Sequence, residues 1–201
     1  NAFVAIPSSG WFQCMNAGEC GCNWAVGELG LFCEACVLNR TIPDLSVEGN
    51  RERWVKVEAA KRRVVWWLLA EGLEVRPKTA PDDDIGLAFD FLSDGGGGPG
   101  GEKILTGHED GLVTLNLAEA DAPHREEMRI AMGERYRTVL GHFRHEIGHY
   151  YWDRLIRDDA EWLGRCRALF GDDSRDYAEA LQAYYESGPV PGWEQQFITP
   201  Y

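Results

Sequence analysis

No stretch of this 201-residue chain approaches the roughly 18 consecutive apolar residues that a bilayer-spanning helix needs. No secretory leader is visible either, and the chain begins at Asn1 rather than at a methionine. Positive charge is in short supply, with 20 Lys and Arg against 33 Asp and Glu and a formal net charge of −13. A field of that sign repels a polyanion unless one face is locally basic, which argues against a protein that grips nucleic acid through its phosphates. The basic cluster that does exist, Arg51, Arg53, Lys56, Lys61, Arg62 and Arg63, is interrupted by Glu52 and Glu58 and reads as a solvated helix face. Cysteine is nearly absent past residue 36, where only Cys166 occurs. That distribution argues against a disulfide framework spread through a secreted domain and makes the cytoplasm the expected compartment. Internal repeats are missing as well.

What is present is the composition of a folded protein: 44% hydrophobic and 26% charged residues, with eight Trp, eight Phe and seven Tyr. The length suits one domain of ordinary size with a small appendage. Five cysteines, Cys14, Cys20, Cys22, Cys33 and Cys36, crowd the first 36 residues, in a segment too small to hold a core without a staple. Cys33-x-x-Cys36 has metal-ligand spacing, and its partner pair must come from Cys14, Cys20 and Cys22. Four thiolates on one structural zinc would let this segment fold. "LNRTIPDLS" follows as a connector, with Asp44 or Ser46 placed to cap the next helix. The expected division is therefore a zinc ribbon and connector over 1–45 and a larger domain over 46–201.

In that larger domain, Trp54, Val57, Val64, Val65, Leu68 and Leu69 recur at helical spacing and predict a long amphipathic helix over 48–73. "IGLAFDFL" reads as a strand and "GGGGPGG", residues 95–101, as a loop. "KILTG" and "GLVTLNL" read as a hairpin turning at "HED", with Val113, Leu115 and Leu117 on one side. The sheet is expected to be small and antiparallel. Pro123 opens a helical region reaching Arg157, with Gly133 and Gly141 as candidate breaks, and a last helix is expected over 174–186. Cys166 reads as a helix-packing residue.

The segment that carries chemistry is "GHFRHEIGHYYWDR", residues 141–154. On a helix, residues four apart share a face, so His145 and His149 can offer two imidazoles to one ion, with Glu146 beside them. H-E-x-x-H is the pattern of a catalytic zinc site: two neutral imidazoles hold a Lewis acid, and the carboxylate takes the proton of an attacking water. Glu146 is then a base and not a ligand. Leu140, Phe143, Ile147, Tyr151 and Leu155 account separately for the buried face, so packing gives no reason for the histidines. His142 lies roughly 10 Å along the axis from His149, too far for one ion to take all three rings. A third protein ligand should come from another element, and Asp176 and Glu179 on the last helix are the candidates by spacing.

These pieces resemble a bacterial family described as zinc-binding metallopeptidases. The resemblance is carried by "CNW" (22–24), "LNRTIPDLS" (38–46), "AAKRRVV" (59–65), "LVTLNLAEAD" (112–121) and "YRTVLGHFRHEIGHYYWDRL" (136–155). It implies an N-terminal ribbon holding zinc on Cys14, Cys22, Cys33 and Cys36, with Cys20 as a departure that makes the second pair ambiguous. It also implies a second zinc on His145 and His149 with Glu146 catalytic, and a further helix past "FITPY" where the third ligand would lie. The expectation is an α+β, zincin-like peptidase acting on a peptide or protein substrate, with two zinc ions, one structural and one catalytic. The rivals are a non-catalytic, zinc-stabilised binding module for protein or nucleic acid and an inactive relative that holds zinc weakly.

Overall fold

A computed structural model describes residues 10–83, 85–94, 104–131, 137–188 and 191–195. The glycine-rich loop expected at 95–101 and the expected break at Gly133 lie outside them. The chain divides into two compact units, Asn1–Tyr150 and Tyr151–Tyr201.

The first unit begins with a two-stranded antiparallel ribbon, β1 (Phe12–Gln13) and β2 (Ala25–Val26), joined through the single-turn helix α1 (Ala17–Cys20). Strand β3 (Asn39–Thr41) starts three residues after Cys36, inside the stretch expected to be only a connector. Helix α2 (Asn50–Ala70) then buries Trp54, Val57, Val64, Val65 and Leu68, as the periodicity requires. No side chain caps its start. Asp44 instead closes a local turn, accepting from the backbone N–H of Ser46 at 2.9 Å, and Gly49, with φ of 82°, leads into the helix. Gly72, at φ 73°, ends it, and the N–H of Leu73 returns to the Leu68 carbonyl at 2.9 Å.

Strand β4 (Ala88–Leu92), hairpin strands β5 (Gly107–Glu109) and β6 (Leu112–Asn116), and β3 form a four-stranded sheet in the order β3-β4-β6-β5. The antiparallel pairing expected of this sheet holds for the β5–β6 hairpin, whereas β3, β4 and β6 run parallel. The expectation of a wholly antiparallel sheet is corrected for a topological reason: α2 carries the chain back between β3 and β4, and a crossover of that kind delivers parallel strands. Ala88, Phe89, Asp90 and Phe91 are all buried, as a strand covered on both faces must be. The hairpin turns at Asp110-Gly111, both with positive φ, and not at "HED". His108 and Glu109 are therefore strand residues, and among the described residues β3 and β5 are the sheet's two edges.

A 3₁₀ turn (Leu117–Ala120) and helix α3 (Ala122–Ala131) lead on to α4 (Val139–Leu155), which carries the histidine motif without a break at Gly141. The Phe143 ring packs edge-on against Phe89 and Phe91 at 5.7 and 6.3 Å, fixing α4 on the sheet. Its buried face is Phe143, Glu146, Ile147 and Tyr150; Leu140 is half-buried and Leu155 exposed, so the face is turned from the expected one toward Tyr150. The basic cluster on α2 is likewise not all solvated. Lys61 and Glu58 are fully buried and paired at 2.8 Å, and Arg62 reaches Glu58 at 3.6 Å.

The second unit holds the last turn of α4, helix α5 (Ala160–Phe170) and helix α6 (Tyr177–Ser187). The Asp159 carboxylate caps α5 by accepting from the N–H groups of Glu161 and Trp162, both at 3.0 Å, and Asp176 caps α6. Cys166 is half-buried on α5.

Candidate metal centres

In the ribbon, Cys14 follows β1, Cys22 precedes β2 and the Cys33–Cys36 turn closes on itself through the Cys36 N–H to the Cys33 carbonyl at 2.9 Å. The sulfurs of Cys14, Cys22, Cys33 and Cys36 lie within 4.8 Å of one another, and all four residues are buried. Cys22 stands 3.7 Å from both Cys33 and Cys36. A tetrahedral zinc with Zn–S bonds of about 2.3 Å has edges of about 3.8 Å, so the donor set fits the ion. The backbone N–H of Cys33 donates to Cys14 Sγ at 3.3 Å, the kind of outer contact that orients a thiolate ligand.

Cys20 takes a different place. It sits beside Cys36 and Glu58, its thiol donating to the Asn16 carbonyl at 3.4 Å while Arg62 Nη1 donates to its sulfur at 3.6 Å. Hydrogen bonds from the Cys20 and Cys33 thiols hold Cys36 far below the ordinary thiol range. Those two donors, buried as well, are pushed far up, and burial raises Cys22 to about 11.

On α4, His145 and His149 are exposed on one face, and their Nε2 atoms approach to 3.0 Å. A tetrahedral zinc with Zn–N bonds of about 2.0–2.1 Å separates two ligand nitrogens by about 3.3 Å, so a small opening of this pair accepts the ion. Among the described residues of the first unit, no third histidine, cysteine or carboxylate gathers a ligand atom with these two within 4.8 Å. In the second unit Asp176 is occupied as an N-cap, its carboxylate accepting from the Glu179 N–H at 2.9 Å.

Glu146 is buried beside the pair, and burial pushes its carboxyl up against the pull of His142, His149 and Arg137. Behind it lies a network that the sequence did not announce. His142 Nε2 is 4.0 Å from Glu146 Oε1, and His142 Nδ1 is 3.4 Å from Glu119 Oε2. Arg137 Nη2 donates to Glu119 Oε1 at 2.9 Å and stands 3.2 Å from His142 Nε2. Burial alone would raise Glu119, yet the hydrogen bonds from His142 and Arg137 outweigh it and hold the carboxyl at about 2. His142 is thus no ligand partner of His149 but a link between two buried carboxylates.

His108 was also missed. Its ring stacks on that of His149, centroids 6.4 Å apart and planes 9° off parallel, and meets Tyr150 edge-on at 6.2 Å. The signal that would have found it is Asp110-Gly111, the dipeptide of a type I′ hairpin turn, which places residue 108 on a strand.

A buried four-cysteine cluster ahead of a mixed sheet and a helix bearing H-E-x-x-H defines a zinc-binding α+β protein. The profile of a family described as "Putative zinc-binding metallo-peptidase" matches residues 50–201, that of a zinc-ribbon domain matches residues 4–47, and the chain belongs to this metallo-peptidase family. Curated relatives in Mycobacterium bovis and in two strains of Mycobacterium tuberculosis, each carrying the name of an uncharacterized protein, are 42% identical over 190 residues. These matches take in 94% of this chain and 54% of each relative, so the chain spans about half the length of the proteins it resembles. No solved structure matches it. No helix among the described residues is long and apolar enough to cross a membrane.

Proposed function

We propose that the chain is a zinc-dependent peptidase that hydrolyses peptide bonds with Glu146 as general base. In this reading a zinc ribbon and connector over 1–45 precede a zincin-like domain over 46–201. One structural zinc sits on Cys14, Cys22, Cys33 and Cys36, and one catalytic zinc on His145 and His149. The observation that carries the reading is the convergence of the His145 and His149 Nε2 atoms to 3.0 Å on the exposed face of α4, with the Glu146 carboxylate buried next to them. When bound there, zinc supplies a Lewis acid and a water acidified toward a pKa of about 7.

The chain's own residues then divide the work. His145 and His149 hold the ion, and Glu146 accepts a proton at its carboxylate and returns it to the leaving amine nitrogen. His142, with Arg137 and Glu119 behind it, fixes where that carboxylate points. An extended peptide can add to the exposed edge of β5, beside His149, through main-chain hydrogen bonds. The test is casein hydrolysis by the zinc-loaded chain beside Glu146→Gln, which should keep its zinc and lose at least ~10²-fold of the rate. Loss of zinc in that variant would make Glu146 a ligand, and an undiminished rate would remove it from the chemistry.

A second reading, a zinc-stabilised module that binds other proteins, draws on the ribbon's exposed apolar residues, among them Trp11, Leu29, Leu31 and Phe32. Nucleic acid is disfavoured as its partner because Lys61 and Arg62 are committed to Glu58. In that reading Glu146→Gln changes nothing measurable.

A further inference from the structure

We infer that His108 is the hydrogen-bond donor to the carbonyl oxygen of the scissile peptide, the group that meets the negative charge growing there as the carbon is attacked. The inference rests on the peptidase reading of His145, Glu146 and His149 and adds to it a residue from outside the helix.

Position comes first. His108 lies on β5, an edge strand of the sheet, with its ring parallel to that of His149 at 6.4 Å and edge-on to Tyr150 at 6.2 Å. A peptide added to that edge would pass between the two imidazoles' surroundings and the strand, so residue 108 neighbours any carbonyl presented to a metal on His149.

The tautomer comes next. The backbone N–H of Gly111 donates to His108 Nε2 at 3.0 Å, so the neutral ring carries its proton on Nδ1 and is a donor from that atom. The same bond disfavours His108 as a metal ligand through Nε2, because the lone pair a ligand needs is already engaged. Simple packing does not account for the residue either: it is half-buried on an edge, where a β-branched or aromatic residue would serve equally well.

Rigidity is the third element. Gly111 adopts φ of 80°, its carbonyl accepts from the Ala88 N–H at 2.9 Å, and a Cβ placed there would fall 2.0 Å from the Gly86 carbonyl oxygen. The Asp110 carbonyl is tied to Lys78 Nζ at 2.7 Å, and Tyr150 donates to the Ile85 carbonyl at 2.5 Å. The turn that orients the imidazole is therefore pinned to the neighbouring loop on one side and to α4 on the other. A donor fixed before the charge appears is the arrangement in which such a bond contributes most, and removing one typically slows turnover by about 10²–10³-fold.

The experiment compares the zinc-loaded chain with His108→Ala and His108→Gln, the latter returning an N–H donor at similar reach. Three quantities are read: zinc per chain, casein hydrolysis, and calorimetric binding of acetohydroxamate, whose polar oxygens bind at a peptidase metal in place of the carbonyl. Circular dichroism selects folded variants. We expect full zinc in both variants, a fall of about 10²-fold or more in kcat at similar KM for His108→Ala, weaker acetohydroxamate binding by at least ~10-fold, and partial recovery of both in His108→Gln. Loss of one zinc in His108→Ala would make the residue a ligand and overturn the assignment. So would unchanged acetohydroxamate affinity, whether or not casein is cleaved. If the parent chain and Glu146→Gln are equally inert on casein while His108→Ala still weakens acetohydroxamate, the peptidase reading fails and takes the scissile carbonyl with it, leaving His108 as a donor to an oxygen ligand at the histidine pair and nothing more.

Discussion

The Glu119→Gln substitution removes one charge from a buried network and keeps nearly the same shape. In the folded chain the carboxylate is nearly inaccessible, with Arg137 at 2.9 Å and His142 at 3.4 Å. Its pKa of about 2, against an ordinary glutamate value of 4.5, corresponds to about 3 kcal/mol of preference for the ionised form in the folded state. Because the folded value is depressed, that stability is fully present above the unfolded value and is lost as pH falls through about 4.5 toward 2. At pH 7 the variant should therefore unfold in urea about 3 kcal/mol more easily than the parent. The gap should narrow by about 1 kcal/mol at pH 4 and by about 2 kcal/mol at pH 3, as the parent's own carboxyl protonates on unfolding. Taking the difference between the two proteins at each pH cancels the groups that titrate in common and lie away from Glu119, and making the same comparison in a His142→Asn background removes the one titrating neighbour that does not cancel. A gap of the same size at pH 7 and pH 3 would refute the assignment of the stability to this charge, and no gap at pH 7 would show that Arg137 and His142 are equally well served by an amide.

The other expectations concern the metal ligands and the buried pair. Cys33→Ser with Cys36→Ser should cost the chain its ribbon zinc, read by elemental analysis, and unfold residues that lack any other core; retention of that zinc would count against the tetrathiolate site. Lys61→Met should destabilise by at least ~1 kcal/mol in thermal or urea unfolding, since it removes the nearest cation from the buried Glu58 carboxylate and leaves it with Arg62 at 3.6 Å and the Asn39 amide at 2.8 Å. Adding Glu58→Gln to Lys61→Met should restore part of that loss, and strict additivity in this cycle would contradict the pairing seen at 2.8 Å. Asp176→Ala should lower stability by about 1 kcal/mol through loss of the α6 cap and leave zinc content unchanged, whereas release of zinc would promote Asp176 to a ligand.

How much of this could be read from the residues differs by element. The α2 periodicity, the β6 side chains and the face shared by His145 and His149 follow from spacing alone, since 3.6- and 2-residue repeats survive any tertiary arrangement. The partition of the five early cysteines does not follow from spacing: Cys20 and Cys22 are both within reach of a second pair, and only the turn at Gly21, with φ of 63°, separates their directions. Lys61 and Arg62 read as solvent-facing because charge usually is; their burial depends, beyond Glu58 one turn back on the same helix, on Asn39 and on the ribbon's Cys20 and Gly21, which arrive from elsewhere in the chain. Parallel pairing of β4 with β3 and β6 was hidden for the same reason, being a property of the crossover and not of "AFDFL". His108, Glu119 and Arg137 were invisible as a set because residues 8 to 37 positions before His145 are joined to the motif only by the fold, through the sheet's register and the turn at Asp110-Gly111.

The spacing between Cys36 and β3 has a consequence for how the protein answers its surroundings. The last ligand of the ribbon and the first residue of edge strand β3 are three residues apart, Asn39 bonds to Glu58 at 2.8 Å, and Arg62 ties α2 back to Gly21 at 3.3 Å. If the four cysteines hold zinc as proposed, the free energy of that binding is not confined to the ribbon. It would also stabilise the register of β3 on β4 and the seat of α2, in proportion to the logarithm of free metal above its dissociation constant. Metal taken up at one end of the chain would then tighten the sheet that carries His108 and supports α4.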